Sequence, residues 1–208
     1  MKTERFGMIK ISEKCSISIF FFVSLFLFFS SQSLLYSLIF ILSAAIHEGS
    51  HVFFLLRYGA QIHKIAIYPF GIDMQADTRH LSYKKELVCT LSGSFSNLLF
   101  ALFGYALVAV FSSPEILFFV LCNLFLGFLN LIPLSFFDGG KALRLILYDT
   151  FDIDRAFYLH KTLDILSALL FLTFGVFIMI GSDFNLSVCA AIVYSAISTL
   201  AQNIKCSC

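Results

Sequence analysis

At 208 residues, 59% hydrophobic and 13% charged, with a mean hydropathy of +0.91, the chain lies outside the range of a soluble globular domain. Fourteen basic and thirteen acidic residues leave a net charge of +1, and nucleic acid is not an expected partner. With 27 Phe, no Trp and only three Pro to interrupt helices, the composition describes an all-α integral membrane protein.

Runs of about 17 to 25 apolar residues, the length that crosses a bilayer as helix, mark about six spans. The first, Cys15 to Ser31, has no small-residue cleavage site before a soluble segment, so it reads as a retained span rather than a signal peptide. The second, Ser33 to Leu56, carries "AAIHEGSHVFFLL" at residues 44 to 56, with three hydrophilic side chains where hydrocarbon is expected. His47 and His51 are four residues apart, so on a helix they stand about 40° apart in azimuth and face the same way. Two imidazoles so placed can bind one metal ion, and Glu48 can reach a water on that metal. An ionisable residue at mid-helix costs roughly 2.5 to 3.5 kcal/mol, so a grouping of this kind needs a use.

Residues 59 to 76 follow, where Ile65 and Ile67 alternate with Lys64, Ala66 and Tyr68 up to Pro69 and Gly71. That period of two predicts a short interfacial β-strand or hairpin between the second and third spans, with an edge open to an added strand. His63 within it is expected to be a surface residue. The third span is Leu87 to Phe111, and the fourth runs from Glu115 to about Leu131 into "NLIPLSFFDGGKAL", residues 130 to 143. Pro133 and Gly139-Gly140 predict an unwound segment there, tolerated at membrane depth only where it packs in protein or lines a wet cavity. Residues 139 to 161 predict short interfacial helices whose Lys141, Arg144, Arg155 and Lys161 face headgroups. Asp149, Asp152 and Asp154 are expected to cap helices and turns and are assigned no catalytic work. The fifth and sixth spans are Leu163 to Ile180 and Leu186 to about Ile204. The six cysteines show no metal-ligand framework, and Cys206 and Cys208 are expected to be free thiols.

Every Lys and Arg falls before the first span, in the second connection, in the fourth connection, or at Lys205. The connections around Gln32, Ser112 to Pro114 and Gly181 to Asp183 have none. By the positive-inside rule the termini and both long loops are cytosolic. The expected location is the plasma or inner membrane, multi-pass, with the lipid bilayer as surroundings. Residues 1 to 208 are expected to form one domain with a catalytic core at about 33 to 145.

A catalytic zinc site takes a third protein ligand and keeps one open position. The metzincin spacing fails, because its later positions hold Phe54 and Arg57. Of the later glutamates, Glu115 falls at the outer end of a span and Glu86 at its cytosolic mouth. Asp138 lies where the fourth span returns to the cytosolic side, at a depth the His pair can share. Joined to an intramembrane His-Glu-x-x-His, it is the expected third ligand.

These residues resemble the site-2 protease family of intramembrane zinc metalloproteases. The resemblance rests on His47-Glu48-x-x-His51, on Gly93-x-x-x-Asn97 within "SGSFSNLLFALF", and on Asn130-x-x-Pro133 followed by Asp138-Gly139. It covers the chain from about Ile39 to about Arg144. The compact form looks most like the branch containing the bacterial sporulation-factor protease that cleaves a membrane-tethered pro-sigma factor. Phe137 stands where Leu usually precedes the Asp, and Phe136 replaces a second Pro common in that loop.

The resemblance implies one zinc ion per chain on His47, His51 and Asp138, with Glu48 as general base. It also implies that Asn97, Asn130 or both contact the oxyanion or the substrate. Asn123 matches no motif and is expected to be a helix-packing contact. The implied substrate is a membrane-spanning or membrane-tethered protein cut in or near its transmembrane segment, with a regulatory factor released to the cytosol. A separate membrane regulator is expected to control access. Two other classes fit part of the pattern: a proteolytically silent relative that binds membrane segments, and a transporter using the intramembrane His and Asp as an ion path.

Overall fold

The computed structural model describes residues 8–12, 15–18, 33–68 and 71–181. The chain divides into two compact units, Met1–Leu126 and Gly127–Cys208.

In the first unit, α1 spans Leu34–Arg57. It is capped by Ser33, whose Oγ accepts from the Tyr36 amide at 3.5 Å. Its buried residues Ser43, His47, His51 and Leu55 recur every four positions and so form one face. Leu34, Leu35, Leu38, Ile41, Leu42, Phe53 and Leu56 point outward instead. Large apolar side chains outside and small or polar ones inside is the pattern lipid selects, since hydrocarbon offers no reason to hide Leu from it. The helix ends at Gly59, in the left-handed region at φ 83°. There Gly59 N–H donates to Leu56 O at 3.0 Å and Ala60 N–H to Leu55 O at 2.9 Å, which together close the last turn.

The chain then enters the expected hairpin, β3 (Gln61–Tyr68) and β4 (Gly71–Asp77), paired antiparallel from Tyr68↔Gly71 to Gln61↔Asp77 with an irregularity between Ile62 and Lys64. The sheet is larger than expected. Two strands from the start of the chain, β1 (Met8–Lys10) and β2 (Cys15–Ser18), extend it in the order β1-β2-β3-β4. β2 runs parallel to β3, with Ile17 opposite Ile67. The expected first span therefore does not begin as helix at Cys15. The stretch "CSIS" has the period of a strand, and the Phe-rich run behind it hid that alternation. The rest of that span lies outside the described residues.

α2 (Tyr83–Phe111) begins four residues before the expected Leu87, behind Ser82 and with Glu86 in its first turn, where the helix dipole favours an acid. Its buried positions Cys89, Gly93, Asn97 and Ala101 again recur every four residues. α3 (Pro114–Asn130) opens on proline, whose missing N–H has no partner to lose there. The boundary between the units falls within α3. Ser43 joins the three helices of the first unit. Its carbonyl accepts from Asn97 Nδ2 at 3.4 Å and its hydroxyl from Asn123 Nδ2 at 2.9 Å. Asn123 is thus the packing contact expected of it.

In the second unit the helix breaks over residues 131 to 137, as Pro133 predicts. Short-range bonds satisfy the freed backbone, among them Leu134 N–H to Ile132 O at 2.8 Å and Phe137 N–H to Leu134 O at 2.8 Å. α4 (Asp138–Thr150) follows, with Asp138, Gly140, Ala142 and Leu147 buried and Lys141, Arg144 and Tyr148 exposed. α5 (Ile153–Gly181) begins ten residues before the expected Leu163. Of the short helices expected over 139 to 161, α4 is one, with Lys141 and Arg144 exposed, and the remainder of that stretch forms the charged first turns of the long α5. The charges there had been read as the end of an interfacial segment.

Among the described residues three helices, α1, α2 and α5, are long and apolar enough to cross a membrane, and α3 is a shorter apolar helix of 17 residues. The expected sixth span, Leu186 to about Ile204, lies outside the described residues.

Candidate metal centre

α1 presents His47 and His51 on its buried face, 7% and 8% exposed. Their Nε2 atoms are 3.3 Å apart, with the rings nearly perpendicular at 80°. His51 Nδ1 lies 2.8 Å from the Cys89 carbonyl on α2. A carbonyl can only accept, so that contact places the proton on Nδ1 and leaves the Nε2 lone pair for a ligand bond. Ser92 donates its hydroxyl to the same carbonyl at 2.8 Å and lies 3.3 Å from His51 Nδ1.

Gly93 lies across from both rings. A Cβ there would overlap His51 Nε2 and come within 2.8 Å of His47 Nε2, so only glycine leaves the space in front of the two nitrogens open. The Gly93-x-x-x-Asn97 spacing is thereby explained in part. Asn97 sits one turn further along the same face, fully buried, with its amide on Ser43 O and its Oδ1 without a hydrogen-bond partner among the described residues.

Asp138 is the first residue of α4, 4% exposed, where the helix N-terminus favours a carboxylate. The residue was expected in a loop; its placement on a helix gives the carboxylate a defined direction. Lys141, one turn on, donates Nζ to Asp138 Oδ1 at 3.1 Å. Gly139 and Gly140 let this turn press against the preceding break, because a Cβ on either would run into the Leu131 or Leu134 carbonyl.

Two imidazoles and a carboxylate are a common catalytic zinc donor set, and metal–ligand bonds of about 2.0 to 2.1 Å set tetrahedral ligands roughly 3.3 Å apart. The His47–His51 separation of 3.3 Å matches that edge. The two imidazoles fit a zinc ion. Glu48 follows His47 on α1 and is half-buried, and Asn130, at the end of α3, is also half-buried.

Three residues had no assigned part before the geometry was known. Gly93 contributes space, Cys89 a backbone carbonyl, and Ser92 a hydroxyl behind that carbonyl. Only Gly93 left a trace in the sequence, as the first position of a matched motif.

No family model matches the chain. Two curated proteins are similar in sequence. A zinc metalloprotease of Methanocaldococcus jannaschii is 29% identical over 164 residues, covering 72% of this chain and 46% of that protein. Stage IV sporulation protein FB of Bacillus subtilis is 25% identical over 161 residues, covering 76% of this chain and 55% of that protein. The chain thus spans about half the length of the curated relatives it matches. Among solved structures, the site-2 protease from Methanocaldococcus jannaschii has the same fold, with a TM-score of 0.68, 22% identity, and 93% of this chain and 92% of that chain covered. In sequence the chain is similar to these two curated proteins, and it shares the fold of the site-2 protease.

Proposed function

We propose that the chain is a zinc metalloendopeptidase that cuts a peptide bond in or near the transmembrane segment of a membrane-tethered protein and releases a regulatory factor to the cytosol. The observation that carries this reading is the pair of imidazole Nε2 atoms 3.3 Å apart, buried in an apolar helix beside a glycine that keeps the space before them open.

His47, His51 and Asp138 would hold one zinc ion per chain, which would supply Lewis-acid chemistry to the scissile carbonyl and to a water. Glu48 takes a proton from the attacking water on its carboxylate and hands it to the leaving amine. The Cys89 carbonyl holds the His51 ring through Nδ1, and Lys141 holds one oxygen of Asp138, so neither ligand has to be ordered during the reaction. Asn97 and Asn130 contact the oxyanion or the substrate, and the bond from Asn97 Nδ2 to Ser43 O fixes how that side chain is turned.

A peptide bond inside a helix is shielded by its own hydrogen bonds and must be unwound first. Among the described residues β4 is an edge of the sheet, so its outer backbone groups are suited to pairing with an unwound substrate strand. The distribution of Lys and Arg supports a multi-pass protein with cytosolic termini and a site opening toward the cytosol. The branch that the motifs resemble favours a membrane-tethered regulator as substrate, with a separate membrane protein controlling access.

Purified full-length protein, Glu48→Gln and His47→Ala decide the matter when zinc per chain and cleavage of a single-span substrate are measured together. Glu48→Gln is expected to keep its zinc and lose about 10²- to 10⁴-fold in cleavage rate. His47→Ala is expected to lose both. Normal cleavage by Glu48→Gln would sink the proposal.

A further inference from the structure

Besides Asp138, Asp164 is the one carboxylate fully buried among the described residues, at 1% exposure, and it lies on α5, outside the sequence motifs. Ionisable side chains within membrane helices are rare and costly, and they usually mark function. Asp164 Oδ1 accepts a hydrogen bond from the Ser135 backbone N–H at 2.7 Å. Ser135 stands in the break between α3 and α4, three residues before Asp138, where no helix ladder is available to its amide.

Two neighbours on the same face of α5 grip the same segment. One turn earlier, the His160 ring meets the Gly140 backbone. About two turns later, Phe171 packs edge-on against Phe137, ring centroids 5.9 Å apart. Residues 160, 164 and 171 of α5 thus hold residues 140, 135 and 137, on both sides of Asp138. Of the three contacts only the one at Asp164 is a short bond to a carboxylate, the strong kind, and it acts on an amide that a break in the helix has left without a ladder partner.

We propose that Asp164 is a positioning residue for the metal ligand Asp138: it anchors the break through the Ser135 amide and so fixes where the first turn of α4 begins. The inference rests on the metal reading above. A packing role alone would stabilise the helices without bearing on metal affinity.

The test uses the full chain in nanodiscs, as wild type, Asp164→Leu, Asp164→Asn and Ser135→Pro. Amide hydrogen exchange over residues 131 to 140 and zinc affinity by chelator competition are both measured. Asp164→Leu removes the acceptor and Ser135→Pro the donor. Each is expected to raise exchange in that segment while leaving α1 and α2 protected, and to weaken zinc about 10- to 100-fold. Asp164→Asn keeps an acceptor oxygen and is expected to stay within about threefold of wild type on both readings. Should Asp164→Leu fail to fold, Ser135→Pro decides alone. Unchanged exchange, or a loosened segment with wild-type zinc affinity, would overturn the inference. The zinc content of wild type, measured first, tests the metal reading separately, because the exchange result reports the anchor with or without zinc.

Discussion

Gly93 faces the Nε2 atoms of both histidines, and a single methyl group there is the smallest change that challenges the centre. Gly93→Ala should leave α2 helical, since alanine is favoured over glycine within helices by about 1 kcal/mol. The new Cβ nonetheless claims the space in front of His51 Nε2. The expected result is a folded protein whose zinc affinity drops on the order of tenfold or more, read by chelator competition beside a circular dichroism spectrum. Wild-type affinity in Gly93→Ala would mean that the rings swing aside freely. At this scale the placement of His47 and His51 side by side was legible because polar atoms in lipid are costly and a spacing of four maps directly onto one helix face. The Cys89 carbonyl was not, because every residue carries a carbonyl and only packing selects one. Lys141 was read as a headgroup contact, yet its ammonium lies on Asp138.

α1, α2 and α3 are joined at Ser43 by two buried asparagines. Replacing Asn123 by Leu removes the donor to Ser43 Oγ and should destabilise the helices by about 1 kcal/mol, within the range of interhelical hydrogen bonds in membranes. Unfolding in mixed micelles of rising SDS content would read it; a change no larger than that of a lipid-facing control such as Leu99→Ala would show that the bond contributes nothing. Helices with long apolar runs were readable in the sequence, and their ends were not. α2 and α5 both start earlier than expected because charged residues were taken as boundaries, although a helix can carry charges past the hydrocarbon. The hairpin was visible from its alternation. β1 and β2 were not, since three- and four-residue strands gain their stability from β3 and show little pattern of their own.

For the molecule as a whole, the basic residues make a directional statement that cysteine labelling can test. Single cysteines at Lys85 and at Ser113, introduced into a cysteine-free background, should react with a membrane-impermeant maleimide from opposite sides of intact cells. Lys85→Cys is expected to be shielded until the membrane is opened, and Ser113→Cys to react at once. Reaction of both from outside would reverse or abolish the assigned orientation. The resemblance to a protease family could be read because its motifs combine costly residues at fixed spacings, and the break at 131 to 137 because Pro133 marks it, whereas the anchors of that break depend on contacts between distant positions.

The first unit keeps small and polar residues inside and turns Leu and Phe outward. When such helices part within a bilayer, their apolar surface passes from lipid to lipid and never meets water. The heat-capacity increment and denaturant sensitivity that accompany the unfolding of a water-soluble domain both scale with newly hydrated surface. Both should therefore be small for these helices, and the thickness and composition of the surrounding lipid would govern their stability more than urea or temperature.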